Sequence, residues 1–195
     1  RAEVPLYHKS KLVVAVENFP YQQVLKPILG ETLINLGGTV ALKTTQPERT
    51  AFAGVGTEGK AAPIICYETI YGEFVTDYIK KGANFLAILT NDAWWRNTQG
   101  HKQLLSYTRL RAIETRRSVV RSANTGISAF INGRGEVLQT LPYGVQGSLK
   151  GTIALNDEVT FYVRMGDYLA RIAYFLAFFI FLSAVVKRRG LLSKN

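Results

Sequence analysis

The 195-residue sequence predicts a layered α/β domain that runs into one membrane-crossing helix. Three observations predict it. Strand-like apolar runs alternate with helical patterns from Ala61 to Arg117 and then give way to a series of short strands. Near the end stands an apolar stretch, Ile172 to Val186, with Ser183 as its one non-apolar residue, followed at once by Lys187, Arg188 and Arg189. The composition, 47% hydrophobic and 19% charged, excludes a disordered chain and leaves enough apolar surface for a core.

The elements follow in order. Residues 30–60 are rich in Gly and Thr and read as exposed loop with one short strand. Ala61–Cys66 (AAPIIC) reads as a strand, with Pro63 suggesting an edge or a strand entry. Gly72–Lys81 places Phe74, Val75, Tyr78 and Ile79 on one helical face and stops at Gly82. Phe85–Leu89 (FLAIL) is continuously apolar, as expected of a strand covered on both faces. His101–Arg117 carries Leu104, Leu105, Leu110 and Ile113 and reads as a helix. Ser118–Ser122, Ile127–Ile131, Val137–Leu141 and Lys150–Leu155 read as strands, with Asn132-Gly133-Arg134-Gly135 as a hairpin turn. Tyr168–Val186 contains Arg171 as its one charge. At 1.5 Å per residue its length is about 28 Å, close to the ~30 Å hydrocarbon core. It is apolar all round, so it reads as a span rather than an interfacial helix; the alternative is a buried core helix. The basic residues after it predict a cytoplasmic C-terminus, with everything before Asp167 on the outer side.

The charge balance is 24 − 14 = +10. That favours anionic partners, and no nucleic-acid motif accompanies it, so no nucleic acid is expected and an anionic lipid surface is. Arg109, Arg111, Arg116, Arg117 and Arg121 read either as a surface facing headgroups or as an ordinary solvated helix face. A single cysteine excludes an intrachain disulfide and a Cys-based zinc site. Two separated histidines make no metal cluster, and no phosphate-cradling glycine loop is present, so neither metal nor cofactor is expected. The chain begins at Arg1 without Met or an apolar leader, and reads as the later part of a longer product.

Cys66 closes an apolar strand ahead of Tyr67 and Glu68. Such a position projects a nucleophile into the crevice where α/β folds bind ligands; a small buried hydrophobe is the other reading. Lys9, Lys11 and Glu17 lie upstream, in YHKSKLVVAVE. A lysine beside a thiolate stabilises it and later an oxyanion, while a carboxylate such as Glu68 takes the thiol proton or holds the lysine.

Four blocks, YHKSKLVVAVENFPY, PIICYETIYGEF, FLAILTNDAWW and LRAIETRRSVVRSANTGISAFING, together resemble the nitrilase (carbon–nitrogen hydrolase) superfamily. With the terminal helix, they are similar more narrowly to the apolipoprotein N-acyltransferases, over about Leu6 to Arg189. The resemblance implies a nitrilase-like α-β-β-α sandwich, partial here, over residues 1–165. A transmembrane helix at 168–186 and a basic cytoplasmic tail at 187–195 follow. It implies a Glu-Lys-Cys triad in which Cys66 is the nucleophile and Lys9 the lysine, supported by Glu17, Tyr67 and Glu68. The Tyr67 amide belongs to the implied oxyanion hole. Asn91, Trp94 and Trp95 match the segment bordering the acyl pocket, and Asn124 matches an Asn that is otherwise a plain turn residue. The implied activity is acyl transfer from a phospholipid, through a Cys66 thioester, to the amine of a diacylglyceryl-cysteine lipoprotein. The implied setting is the outer side of a bacterial inner membrane, as a monomer. A membrane-tethered amidase or nitrilase and a non-catalytic remnant are the alternatives. Three departures stand out: the triad glutamate expected ahead of Lys9 is missing, Val14-Ala15-Val16 replaces a Pro-Gly stretch, and Arg96 replaces a Gly after the aromatic pair.

Overall fold

A computed structural model describes residues 6–13, 17 and 45–192. Among the described residues, six strands form one sheet in the order β1-β2-β3-β4-β5-β6. The strands are β1 (Phe52–Ala53), β2 (Lys60–Ile65), β3 (Phe85–Asn91), β4 (Val119–Asn124), β5 (Ser128–Ile131) and β6 (Val137–Leu141). β2, β3 and β4 run parallel, joined by crossovers that contain α1 (Gly72–Lys80) and α2 (Gln99–Thr115). β1, β5 and β6 pair antiparallel at the two sides.

The apolar face of α1 explains its position. Phe74, Val75, Tyr78 and Ile79 fall together at helical spacing and bury with Ala62, Ile64, Leu86, Ile88 and Val119 of the sheet. Gly82, at φ +88°, ends the segment in the left-handed region where a side chain is disfavoured. The Asn132–Glu136 turn forms as expected: the Gly135 amide donates to the Asn132 carbonyl at 2.9 Å, and Gly135 sits at φ +78°.

Three expectations change. Lys150–Leu155 is not a strand. Instead of a ladder, the segment is held by isolated bonds, the Ser118 hydroxyl to the Ala154 carbonyl at 2.8 Å and the Asn156 amide to the Asn84 carbonyl at 3.2 Å. Phe85–Leu89 is covered on one face: Leu86 and Ile88 are buried, whereas Leu89 is 54% exposed. Its continuous apolarity therefore hides a period of two. Pro63 lies inside a strand with neighbours on both sides, but β1 pairs only with Lys60 and Ala61, so its missing amide costs no bond to β1. Of the loop expected over 30–60, residues 30–44 lie outside the described residues, as do Val14, Ala15 and Val16; the short strand is β1.

Beyond the sheet, a short helix α3 (Phe161–Met165) packs Val163 into the core, and α4 (Tyr168–Leu192) follows. Tyr168–Arg188 is long and apolar enough to cross a membrane, and none of it is buried within the protein. Phe178, Phe179 and Phe181 are all about half exposed, which removes the buried-core-helix reading. The helix also continues through Lys187 to Leu192, so the start of the basic tail is helical.

Candidate active site

The C-terminal ends of three parallel strands converge on one edge of the sheet. Cys66 follows β2, Asn91 ends β3 and Asn124 ends β4, with Asn91 and Asn124 paired in register. This is the edge at which open α/β sheets bind ligands.

Cys66 is half-buried and opens a 3₁₀ turn, Cys66–Ile70, in the left-handed region at φ +53°. A non-glycine residue there is strained, and such turns lift a side chain off the strand end. What holds the turn is Glu68, which is completely buried. One of its oxygens accepts the Ile65 amide at 2.8 Å. The other accepts the Tyr7 hydroxyl at 2.7 Å, the Ser10 amide at 2.5 Å and the Lys11 amide at 3.2 Å. A buried carboxylate is stable only when it is satisfied in this way. Glu68 thereby grips the backbone of Ser10 and Lys11, on the C-terminal side of Lys9. Burial, together with the Glu68 charge, holds the Tyr7 hydroxyl above its usual pKa and keeps it a donor.

Lys9 is largely covered, and its ammonium bonds Glu17 Oε2 at 2.6 Å. The same oxygen accepts the Val13 amide at 2.8 Å, and the Glu17 amide donates to the Val13 carbonyl, so Glu17 orients both lysine and loop. Lys11 instead lies over the Tyr71 ring, 5.6 Å from its centre. Tyr67 packs edge-on against Tyr71, with ring centres 5.5 Å apart.

Asn91 accepts the Ala93 amide at 3.2 Å and the Asn124 side-chain amide at 3.4 Å, which closes the loop after β3. On that loop Trp94 is 74% exposed and Trp95 is 46% exposed. Trp95 lies against Gly100, where a Cβ would overlap the indole, and its carbonyl accepts the Thr98 hydroxyl at 2.6 Å. Thr98 also caps α2, so the aromatic loop and that helix start are one unit. Arg96 takes φ +49° and ψ −161°, a conformation suited to glycine.

The reading of the arginines requires correction. Arg111, Arg117 and Arg121 are at most 4% exposed, while Arg109 and Arg116 are exposed. Arg117 donates to the Ala83 and Thr115 carbonyls. Arg121 forms a sealed pair with Asp92 at 2.7 Å and also donates to Thr108 Oγ1 and the Ile127 carbonyl. Asp92 further accepts the Thr90 hydroxyl at 2.8 Å, and Gly126 is packed so closely that a Cβ would overlap its carboxylate. Burial pulls the Arg121 pKa down, opposed by Asp92 and, more weakly, by the charge of Cys66. Sequence pattern does not single out this buried pair. The available signal was the period of β4, where Arg121 stands two residues after the core residue Val119.

Among the described residues, no cluster of His, Cys, Asp and Glu is arranged to hold a metal ion. His101 is buried against Tyr143, with ring centres 4.5 Å apart. Cys66 does not line the open grooves of about 640 and 810 Å³; the first lies between α1, the end of α3 and the start of α4, and the second between α2, α3 and the start of α4.

Known proteins bear on this arrangement. The carbon–nitrogen hydrolase pattern matches residues 2–160. An apolipoprotein N-acyltransferase of Chlorobaculum tepidum is 31% identical over 95% of the chain and 35% of its own length. Enzymes of the same name from Allorhizobium ampelinum and Bradyrhizobium diazoefficiens are 33% and 35% identical, over 95% and 94% of the chain and 34% and 33% of their own lengths. The chain thus spans about a third of the length of these curated relatives. A carbon–nitrogen hydrolase structure from Helicobacter pylori is 15% identical over 51% of this chain and 42% of that one, with a TM-score of 0.45. With the family pattern covering most of its length, the chain belongs to the carbon–nitrogen hydrolase family.

Proposed function

We propose that the chain is the catalytic part of an N-acyltransferase that moves a phospholipid acyl chain to the amine of a diacylglyceryl-cysteine lipoprotein. Residues 1–165 form the catalytic domain, 168–186 the membrane span and 187–195 the basic cytoplasmic tail. One observation carries the reading above the rest. Cys66 stands in a strained turn at the end of the parallel strand β2, and Glu68 ties that turn to the loop bearing Lys9. The names of the curated relatives and the apolar helix α4 support the choice of substrate.

In this reading the Cys66 thiolate attacks the ester carbonyl carbon of the phospholipid. The Lys9 ammonium and the Tyr67 amide stabilise the tetrahedral oxyanion. The C–O bond breaks, and the lysophospholipid alkoxide leaves with the proton that the triad glutamate expected ahead of Lys9 had taken from the Cys66 thiol. A thioester remains on Cys66. The lipoprotein α-amine then attacks it, the C–S bond breaks and the thiol is regenerated, with one proton passing from the amine to the same glutamate and on to the sulfur. Asn91, Trp94 and Trp95 border the acyl chain, and the indoles exclude water, which favours aminolysis over hydrolysis. Glu17 fixes Lys9. The span keeps the domain beside two lipid substrates on the outer side of the inner membrane.

The test is made on the full-length gene product in phospholipid vesicles. An acyl adduct is expected on Cys66 by mass spectrometry, is absent in Cys66→Ser, and is discharged by a diacylated lipopeptide. Turnover that survives Cys66→Ser overturns the assignment. Adduct discharge by water alone, with turnover of small amides, makes the protein a membrane-tethered hydrolase instead.

A further inference from the structure

Arg171 is the one charge between Tyr168 and Val186, set in the first turn of α4. A cation there is costly to leave unpaired at a hydrocarbon boundary. Its guanidinium bonds Glu73 Oε1 at 2.5 Å and the Met165 carbonyl at 3.0 Å. The same Glu73 oxygen accepts the Asp167 amide at 2.7 Å. Gly166, between them, takes φ +64°, and a Cβ on it would overlap the Glu73 carboxylate. Three separate features therefore converge on Glu73: a cation, a backbone amide and a position where only glycine fits.

The segment leading into this knot is itself fixed. Thr160 caps α3 and donates to the Glu114 carbonyl of α2 at 2.6 Å, and Val163 is wholly buried. On its other side Glu73 lies in the first turn of α1, three residues after the turn that Cys66 opens. The path from the membrane helix to the nucleophile is thus a short run of bonded structure, with no free linker in it.

We propose that Glu73 is a positioning residue, clasping Arg171 so that the membrane helix leaves the catalytic domain at one fixed angle and holds Cys66 at one place over the lipid surface. The part concerning lipid substrate rests on the function proposed above; the clasp itself does not. An isolated exposed ion pair holds little. Here the pair shares its geometry with two backbone bonds and a glycine, and breaking it releases the whole joint.

The experiment uses the full chain in vesicles of zwitterionic phospholipid, with Cys66→Ser to remove the native thiol and spin labels at Lys102→Cys on α2 and Tyr174→Cys on α4, both exposed positions. One narrow distance distribution is expected. Glu73→Ala and, independently, Arg171→Gln at least double its width, while Glu73→Gln, whose side-chain oxygen still accepts from Arg171 and from the Asp167 amide, widens it clearly less. Equal widths in all four proteins, or a Glu73→Gln distribution as broad as that of Glu73→Ala, overturns the proposal. A cooperative melt for each variant separates loss of the clasp from loss of the fold. In the unlabelled protein with Cys66 restored, Glu73→Ala slows acylation of Cys66 by vesicle phospholipid about ten-fold or more but leaves acylation by a soluble thioester unchanged. Equal loss with both donors counts against positioning. If the parent protein is acylated by neither, the proposed function fails and the label distances alone decide the clasp.

Discussion

Replacing Glu68 by Gln tests the joint between the Cys66 turn and the lysine loop. The side chain keeps its shape but loses its charge, and one acceptor oxygen becomes an NH₂ donor. Four donors point at this group: the amides of Ile65, Ser10 and Lys11 and the Tyr7 hydroxyl. Whichever way the amide turns, at least one N–H meets an N–H, and the remaining bonds become neutral. A hydrogen bond to a charged group contributes about 1.5–3 kcal/mol. With Gln NH₂ toward Ile65, one such bond is lost and the three to the lysine loop weaken; with it toward the loop, the Ser10 and Lys11 amides lose their acceptor while the Tyr7 hydroxyl turns to accept. The expected local cost is therefore about 3–5 kcal/mol, or two to four decades in the opening equilibrium. Hydrogen exchange read by mass spectrometry over residues 6–13 checks it. Protection there falls by at least about a hundred-fold, while β3 and β4 keep theirs. Unchanged protection over 6–13 in Glu68→Gln refutes the idea that this carboxylate holds the loop.

The remaining predictions concern the surrounding scaffold. Asp92→Asn strands the sealed Arg121 guanidinium and lowers unfolding stability by about 3–5 kcal/mol in a denaturant titration, whereas replacing both partners with neutral residues costs clearly less. Arg96→Gly relieves a backbone conformation suited to glycine and raises stability by up to about 1 kcal/mol, measured as an upward shift in Tm. Burial, opposed by Arg111, raises the Glu114 pKa above its usual value. The folded state therefore holds this proton more tightly than the unfolded one, and the stabilisation from it is complete below the ordinary carboxylate pKa and is lost as pH rises through the raised value. Denaturant titrations across pH 4 to 7 show the native chain losing stability relative to Glu114→Gln as pH rises; a flat difference contradicts the assignment.

How much of this is legible in the chain differs by residue. Phe74, Val75, Tyr78 and Ile79 announce α1 because helical spacing is a local property, and Gly82 marks its end for a local steric reason. The candidate span Tyr168–Val186 is read from length and hydropathy alone. The placement of Cys66 after a strand is equally local, and the four sequence blocks supply the family. Glu68 is different. Its neighbours Ser10 and Lys11 lie 58 and 57 residues away, so nothing near it foretells a carboxylate shared by two segments.

The arginines make the same point in reverse. Arg111, Arg117 and Arg121 look like solvated charge by composition, and the fold buries them because partners arrive from elsewhere, Asp92 from 29 residues before Arg121 and the Ala83 carbonyl from 34 before Arg117. Lys150–Leu155 has the pattern of a strand but acquires no ladder, since pairing depends on which edge is free. The sequence alone indicated α1, α2, the strands up to Leu141, the candidate membrane segment and the candidate nucleophile, because periodicity and conformational preference act over a few residues. Only the tertiary structure decided which charges are sealed, what grips the lysine loop and how α4 leaves the domain. Those depend on contacts such as Glu73 with Arg171, 98 residues apart, which exist only once the chain has folded.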